Sequence, residues 1–361
     1  MIFRDLKGRL FITMPKNHHR ILTLTLSLMM MVGCELRSQV VEQERPKIGL
    51  VLGGGGAKGA AEVGVLKVME AAGIKPDYIA GTSIGSILGA LYASGYSPAQ
   101  LDTLMRSQDW VTLIGDRNTD LKEKIVSEDS TAYYVFGFPV MRKSKHPEAN
   151  GVGMLRGDHI MELIDSCTNL PDSVSFDDLN IPFRCVAYDM KNKKEVVMDR
   201  GNLPLAVRAS MAIPGAFKPV RLNDMVLLDG GLINNLPVDV VRQMGADIVI
   251  AIDLTQHKKE TRDFSVGIGG LLDWVISRPD LIKYNQNVDS ADIYINPILD
   301  GYGVTSFNRT SIEVMIDLGE TEAWKHYKQL VDLRDGKFRK DDSELEWRHI
   351  NPNEDKNHRN Q

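Results

Sequence analysis

Residues 81–85 read Gly-Thr-Ser-Ile-Gly and restrict the possible folds of this chain more than any other stretch. They follow the apolar run 78–80 and precede a segment of small and apolar residues, 86–94, that predicts a helix. A serine between a strand and a helix, with glycine two positions away on each side, is typical of a nucleophile elbow. Such a turn directs the Ile84 amide and the positive end of the helix at a reaction centre beside the Ser83 hydroxyl. The pentapeptide alone leaves a plain strand-to-helix turn equally open.

Strands and helices alternate around this turn. The apolar run 47–52 predicts a buried strand, a glycine-rich loop follows at 53–59, and residues 60–72 have the apolar spacing of a helix. The sequence therefore predicts an α/β fold, a sheet with helices packed on its faces. Further predicted strands are 183–188, 195–198, 226–228, 247–254 and 293–295, and further predicted helices start at Ser97 or span 155–167, 205–211, 238–244 and 312–330.

The glycine loop offers backbone amides that can converge on an anion. It does not fit a phosphate loop, because Gly59 stands after Lys58 where that motif requires Ser or Thr. Gly54, Gly56 and Gly59 do fit a dinucleotide fingerprint, with Asp77 near the distance expected for a ribose contact. A simpler interpretation is that Asp77 begins the second strand. A dinucleotide site would also leave the serine elbow without a role.

A third motif, Asp229-Gly230-Gly231, follows the apolar strand 226–228. The two glycines would let this carboxylate approach another loop closely. If Asp229 meets Ser83 and burial raises its pKa, it can act as a general base. A tight turn with a capping aspartate is the other interpretation of the motif alone.

Taken in order, these motifs resemble the patatin-like phospholipases, specifically the bacterial branch related to neuropathy target esterase. The resemblance covers about residues 47–254. It implies a three-layer α/β/α fold around a central, largely parallel sheet, with Ser83 as nucleophile and Asp229 as its partner in a dyad without histidine. The matching blocks are the loop 52–59, the elbow 81–85, the segment 209–215 as a structural block, and Asp229-Gly230-Gly231 with Asn235-Leu236-Pro237 just after it.

The resemblance also implies the chemistry. The enzyme would hydrolyse carboxylic esters of phospholipids or lysophospholipids through an acyl-enzyme, without a metal or cofactor. Lys58 stands where the family usually has arginine, and Glu62 where this branch often has histidine. Neither change removes a catalytic atom. The two changes therefore leave activity expected and bear on substrate preference only. The implied oxyanion donors are the amides of Gly54, Gly55 and Gly56 together with Ile84, and the supporting motif residues are Lys58, Gly59, Gly81, Gly85, Gly230 and Gly231.

Two alternatives remain for the function. In the first, a histidine after Asp229 completes a Ser-Asp-His triad, and His326 in the closing helix is the residue to test. In the second, the chain is a catalytically inactive lipid-binding lipoprotein that kept the fold. The intact Ser83, Asp229 and glycine loop favour an enzyme over the second alternative. The particular ester substrate and the oligomeric state are not predicted.

The first 33 residues predict an export signal. A charged segment at 16–20 precedes the apolar run 21–33, which is too short to span a bilayer comfortably. Cys34 follows small residues at its end, which resembles a bacterial lipoprotein signal and implies lipidation of Cys34. An ordinary signal peptide with an incidental cysteine is the alternative, and Met14 would give a more compact signal than Met1. Glu35 in place of aspartate favours the outer over the inner membrane, so we expect a lipid-anchored protein of the cell envelope.

Composition restricts partners and domains. The first 33 residues hold five basic residues and one acid, so their removal changes the formal charge from −5 to −9. A negative charge of this size disfavours binding to nucleic acid and adsorption to anionic lipid. Cys167 and Cys185 are too few for a disulfide framework, and their pairing is left open. The expected parts are a tether at 34–46, a catalytic domain at 47–256 with an insertion at 108–156 that is either a lid or a surface excursion, a packed extension at 257–333, and a charged, disordered tail at 334–361.

Overall fold

The structure, a computed structural model, describes residues 2–4, 7, 10–12, 45–115, 155–255 and 281–339. The chain forms two compact units that divide after Arg45. In the first unit, strands β1 (Ile2–Arg4) and β2 (Leu10–Ile12) form a short antiparallel pair. Cys34 and the apolar run before it lie outside the described residues, so export and lipidation stay predictions.

The second unit alternates strands and helices, as the sequence predicts. Its strands are β3 (Ile48–Leu52), β4 (Tyr78–Thr82), β5 (Val174–Ser175), β6 (Phe183–Asp189), β7 (Lys194–Met198), β8 (Arg200–Gly201), β9 (Val220–Leu222), β10 (Met225–Asp229), β11 (Ile248–Ile252) and β12 (Ile293–Ile295). Its helices are α1 (Ala60–Ala71), α2 (Ile84–Ala93), α3 (Pro98–Ser107), α4 (Trp110–Ile114), α5 (Asp158–Thr168), α6 (Leu203–Ser210), α7 (Val238–Gln243), α8 (Leu281–Ser290), α9 (Arg309–Lys325) and α10 (Tyr327–Arg334). Short 3₁₀ helices lie at Gly56–Gly59, Phe176–Asp178 and Gly230–Leu232.

The main sheet has a parallel part and an antiparallel part. Strands β12, β11, β3, β4 and β6 lie side by side and parallel. Antiparallel neighbours follow: β7 and β10 both pair with β6, and β9 pairs with β10. The predicted strands 183–188 and 195–198 are confirmed as β6 and β7, which pair as a hairpin. A parallel arrangement places the carboxyl ends of β3, β4 and β11 at one edge, where ligands bind in open α/β sheets.

Alternate residues of the central strands face two different helix layers, as side chains of a strand must. Leu50 and Leu52 of β3 join a core with α1, α2 and α9. Val51, between them, joins a second core that includes Val238 and Val241 of α7 and Tyr284 of α8. Helices therefore cover both faces of the sheet, which confirms the three-layer α/β/α fold.

Helices α1 and α9 cross in backbone contact because each has a glycine at the crossing. A β-carbon on Gly64 would lie 2.5 Å from the Glu320 amide nitrogen, and one on Gly319 would lie 2.8 Å from Ala61 Cα. Real β-carbons do not approach backbone atoms so closely, so these two positions need glycine. The contact fixes α1, whose first residue follows the glycine loop directly.

We expect Gly319→Ala to lower the free energy of unfolding by about 3 kcal/mol, since backbone must move to admit the methyl group. That loss exceeds the gain of about 1 kcal/mol from the higher helix propensity of alanine. Gly303→Ala is the matched control because a β-carbon there meets no atom within 4 Å. Urea denaturation checks both variants, and equal midpoints for the two would contradict the crossing.

The last described part of the chain differs from the prediction in three ways. Residues 281–333 are integral to the domain, because β12 extends the sheet and Val304 O accepts a hydrogen bond from Ala57 N of the glycine loop. The predicted helix 312–330 is two helices, α9 and α10, with His326 between them. The chain also stays packed beyond residue 334, since Phe338 contacts the core. Residues 340–361 lie outside the described part.

The structure also shows the state of the two cysteines and the helix that begins after Ser97. Cys167 on α5 and Cys185 in β6 are both free thiols and do not form a disulfide with each other. The helix that starts at Ser97 is confirmed as α3, where Ser97 and Gln100 form a capping box. The residues of the predicted insertion at 116–154 lie outside the described part, so its role as a lid or surface excursion stays open.

Candidate active site

Strand pairing on β6 brings Ser83 and Asp229 together. Thr82 of β4 lies opposite Val186, and Asp229 of β10 lies opposite the next residue, Ala187. Strand β7 pairs with both of these β6 residues and so occupies the other edge. Strands β4 and β10 therefore share one edge of β6 and run toward each other until their carboxyl ends meet. Ser83 directly follows β4, and Asp229 is the last residue of β10.

The elbow holds Ser83 in a backbone conformation that is unusual for serine. Ser83 has φ 55° and ψ −122° and precedes α2 as its N-cap, as the sequence predicts. A β-carbon on Gly81 would lie 2.8 Å from the Ser86 amide nitrogen, and one on Gly85 would lie 2.7 Å from the Gly53 carbonyl oxygen. Both flanking glycines are therefore required by close backbone approach. Positive φ at a buried non-glycine residue costs of order 1–3 kcal/mol and is concentrated at functional sites.

The Asp229 carboxyl is buried, with 1% of its surface exposed. Its Oδ1 accepts a hydrogen bond of 2.7 Å from the Gly231 amide. Burial raises the pKa of Asp229 to about 6, while the Ser83 side chain and the Gly231 amide act in the opposite direction. Among the described residues, Asp229 Oδ2 has no hydrogen-bond partner at normal length. Ser83 is thus near enough to influence the carboxyl, and one oxygen of Asp229 remains available to accept a proton.

The glycine loop lies beside these two residues, but its amides are not equivalent. The Gly54 amide donates to Asn235 O at 3.1 Å, so the loop's own structure already uses this predicted oxyanion donor. Within the described chain, the hydrogen bonds give no acceptor to the amides of Gly55, Gly56 or Ile84. These three amides are available to an oxyanion in this conformation, whereas the Gly54 amide is engaged; the oxyanion role of all four stays a prediction.

Three further residues hold the site together, and sequence reasoning did not assign them this role. Ser210 Oγ accepts a hydrogen bond of 3.0 Å from the Ser83 amide and donates one of 2.6 Å to Val186 O. Ala212 O accepts a hydrogen bond from the Asp229 amide at 2.9 Å. Thr82 Oγ1 donates to Asn234 O at 2.8 Å. The block at 209–215, which the resemblance marked as structural, therefore positions the backbones of both candidate catalytic residues.

The rival candidate residues lie in other surroundings. Asp77 Oδ2 accepts a hydrogen bond of 2.8 Å from the Ile48 amide at the amino-terminal end of β3. The glycine loop follows the carboxyl-terminal end of the same strand. Asp77 therefore joins two strands, and the dinucleotide fingerprint loses its ribose ligand. The ring of His326 contacts Gln329 through Nδ1 at 3.0 Å and lies 4.0 Å from Glu322. These contacts belong to α9 and α10, so they give no support to a triad.

Lys58 and Glu62, the two residues that differ from the family pattern, lie in different environments. Lys58 is half-buried in the 3₁₀ turn after the glycine loop. Glu62 is fully buried in α1, and neither of its carboxyl oxygens has a hydrogen-bond partner among the described residues. Burial raises the pKa of Glu62 well above its usual value. The Gly53 backbone acts in the opposite direction, and the nearby charge of Asp253 acts in the same direction as burial. Burial in α1 therefore disfavours the charged form of Glu62.

The chain is similar in sequence to several known proteins. The sequence profile described as Patatin-like phospholipase matches residues 50–242. Patatin-like phospholipase domain-containing protein 6 of Mus musculus is 34% identical over 226 residues, which cover 62% of this chain and 15% of the relative. Lysophospholipase nte1 of Aspergillus fumigatus is 30% identical over 288 residues, covering 73% of this chain and 17% of the relative. An uncharacterised NTE family protein of Mycobacterium bovis is 30% identical over 209 residues, covering 58% and 49%.

The chain thus spans half or less of the length of each of these relatives. Among solved structures, VipD from Legionella pneumophila superposes with a TM-score of 0.47 at 13% identity, covering 91% of this chain and 69% of VipD. In the described parts of the chain, no group of three or more His, Cys, Asp or Glu residues is arranged to hold a metal ion. No helix described here is long and apolar enough to cross a membrane.

Proposed function

Because the chain belongs to the patatin-like phospholipase family, we propose that it hydrolyses carboxylic ester bonds of phospholipids or lysophospholipids, with Ser83 as nucleophile and Asp229 as its base. The observation that carries this proposal is the end-to-end meeting of β4 and β10 along β6. It places a serine with strained backbone beside a buried carboxyl whose pKa is raised to about 6. A base with a pKa near the working pH is suited to proton transfer.

The reaction would proceed in two steps. In the first, Asp229 takes the Ser83 proton as the hydroxyl oxygen attacks the ester carbonyl, and returns that proton to the departing alcohol. The amides of Gly55, Gly56 and Ile84 would stabilise the negative charge on the carbonyl oxygen. In the second step, water gives a proton to Asp229 and attacks the acyl group. The proton then returns to Ser83 as the fatty acid leaves.

The pH dependence of kcat/KM should follow the ionisation of Asp229. Only the carboxylate can accept the Ser83 proton, so we expect kcat/KM to rise with pH and to level off above an apparent pKa of about 6. Stopped-time assays with a short-chain ester between pH 4.5 and 8 measure the profile. A rate that is flat from pH 4.5 upward would contradict a base with a raised pKa.

Product analysis on natural lipids tests the function itself. The full chain is incubated with vesicles of phosphatidylcholine and, separately, with lysophosphatidylcholine micelles, and released fatty acid is quantified by mass spectrometry. We expect release from at least one lipid at a rate far above that of the Ser83→Ala variant. Equal background rates for both proteins on both lipids, with vesicle binding retained, would support the inactive lipid-binding lipoprotein instead.

We also propose that the protein is anchored in the bacterial cell envelope by lipid on Cys34, with the outer membrane favoured. The support is the sequence alone: the apolar run that ends at Cys34 and the Glu35 that follows it. Intact mass spectrometry of protein extracted from membranes tests this. A mature chain that starts at a residue other than 34, or carries no lipid, would rule out the anchor.

A further inference from the structure

Two buried side-chain oxygens of the candidate site lack a hydrogen-bond donor by distance and angle, although the Ser83 side chain also acts on the Asp229 carboxyl. They are Asp229 Oδ2 and Asn235 Oδ1, and neither has a partner among the described residues. Asn235, like Asp229, has 1% of its surface exposed. Buried polar atoms of folded proteins nearly always have a partner, so an orphan acceptor indicates a bound water or ligand group. The proposed function employs Asp229 but gives Asn235 no task.

The orientation of the Asn235 amide is fixed by the glycine loop. Its Nδ2 donates to Gly54 O at 3.1 Å, and its own main-chain oxygen accepts from the Gly54 amide at 3.1 Å. A flipped side chain would place Oδ1 against Gly54 O, where two acceptors would repel each other. Asn235 Oδ1 therefore has to point away from that carbonyl as an acceptor.

The direction in which Oδ1 points is toward the reacting groups. A β-carbon on Gly231 would lie 2.8 Å from Asn235 Oδ1 and 3.0 Å from Asp229 Oδ1, so the two side chains approach the same point. A β-carbon on Gly54 would collide with Asn235 Oδ1 and lie 3.3 Å from Ser83 Cβ. Glycine at 54 and 231 thus keeps side-chain carbon out of the region between Ser83, Asp229 and Asn235. Because Asn235 Oδ1 and Asp229 Oδ1 both lie within 3.0 Å of the point where a β-carbon on Gly231 would lie, one water molecule can reach both side chains.

We propose that Asn235 Oδ1 and Asp229 together bind the water that hydrolyses the acyl-enzyme. This proposal rests on the proposed function. One O–H of the water donates to the Asp229 carboxylate, and its proton is transferred to that carboxylate as the water oxygen attacks the acyl carbonyl. The other O–H donates to Asn235 Oδ1, which fixes the direction of the lone pair. The new C–O bond forms, the bond to Ser83 Oγ breaks, and the proton on Asp229 returns to Ser83.

Methanol distinguishes this role from a purely structural one, because it has a single O–H. That O–H is needed by Asp229, so methanol gains nothing from Asn235 Oδ1. The experiment incubates the full chain with an ester substrate in water and methanol and measures the ratio of methyl ester to free fatty acid. We expect Asn235→Leu to raise this ratio about 10-fold over wild type and to accumulate acyl-Ser83 in intact mass spectra.

Ser210→Ala is the matched control. It removes the hydroxyl that contacts the Ser83 amide at 3.0 Å, on a side of the serine that Asn235 does not touch. We expect it to slow both products together and to leave their ratio within about twofold of wild type, as loss of one positioning hydrogen bond should. An unchanged ratio in Asn235→Leu would overturn the proposal and leave Asn235 only its structural contact with Gly54.

A crystal structure of the wild-type chain gives a second test that needs no variant to fold. We expect a water oxygen within hydrogen-bond distance of both Asn235 Oδ1 and an Asp229 carboxylate oxygen, and a dry or differently occupied space would overturn the proposal. Failure of the proposed function would look different: wild type would form neither fatty acid nor methyl ester, whatever occupies that space.

Discussion

Ser83→Ala is expected to lower kcat/KM for ester hydrolysis by about 10⁴-fold or more, because no acyl-enzyme can form without the hydroxyl. The variant should fold, since the methyl group fits where the hydroxyl was and the backbone bond from the Ser83 amide to Ser210 Oγ is retained. Labelling with a fluorophosphonate followed by peptide mapping provides the second measurement. Wild type should carry one adduct on Ser83, and the variant none.

Ser94→Ala controls for general effects of a serine substitution on the same helix. Ser94 lies at the far end of α2, where its hydroxyl donates to Ala90 O at 2.7 Å. We expect its activity and labelling to stay within about twofold of wild type, as for most changes away from special features. An adduct on a different residue in wild type, with Ser83→Ala fully active, would remove Ser83 from the mechanism.

The elbow could be predicted from sequence because its residues are dictated locally. Gly81 and Gly85 are excluded from carrying side chains by backbone atoms of the same turn and of the adjoining glycine loop. The alternation of strand and helix was likewise visible in short apolar runs such as 48–52. Local sterics and periodicity act over a few residues, so a single sequence displays them.

The contacts between distant segments could not be predicted in the same way. Ser210 reaches the Ser83 amide across 127 positions of sequence, and Asn235 reaches Gly54 across 181. No residue pattern reports which amide a serine or asparagine side chain will find. Gly54 is an example: a glycine loop indicates available amides, but only the fold shows that Asn235 O accepts a hydrogen bond from one of them.

The predicted boundary between the catalytic domain and the segment 257–333 depended on a similar long-range contact. The C-terminal part was expected as a packed extension because its apolar pattern is weak, yet β12 pairs with the buried strand β11 and Val304 holds the glycine loop at Ala57. The strand at 293–295 was itself predicted, but three residues carry too little periodic signal to show which strand they pair with. The glycine loop therefore depends on a contact with a segment that the sequence motifs did not include.

Asp229→Asn is expected to lower kcat/KM by about 10³-fold or more, because an amide cannot accept the Ser83 proton. The amide retains the side-chain oxygen that accepts from the Gly231 amide at 2.7 Å, so the loop should keep its structure. The same substitution should remove a pH-dependent loss of stability. Asp224→Asn, in the exposed turn between β9 and β10, is the matched control and should change neither property.

The sign of the stability effect follows from the raised pKa. The pKa of Asp229 is about 6 in the folded state and 3.8 for an ordinary aspartate, so between those pH values the folded protein holds more protons on Asp229 than the unfolded chain does. Wild-type stability therefore falls as pH rises through this window, by about 3 kcal/mol for this fully buried group. Asparagine does not titrate, so the stability of the variant relative to wild type should increase by that amount between pH 4 and pH 7. Urea denaturation at several pH values measures the difference, and a constant difference across that range would mean that Asp229 is not the buried, raised-pKa base on which the mechanism depends.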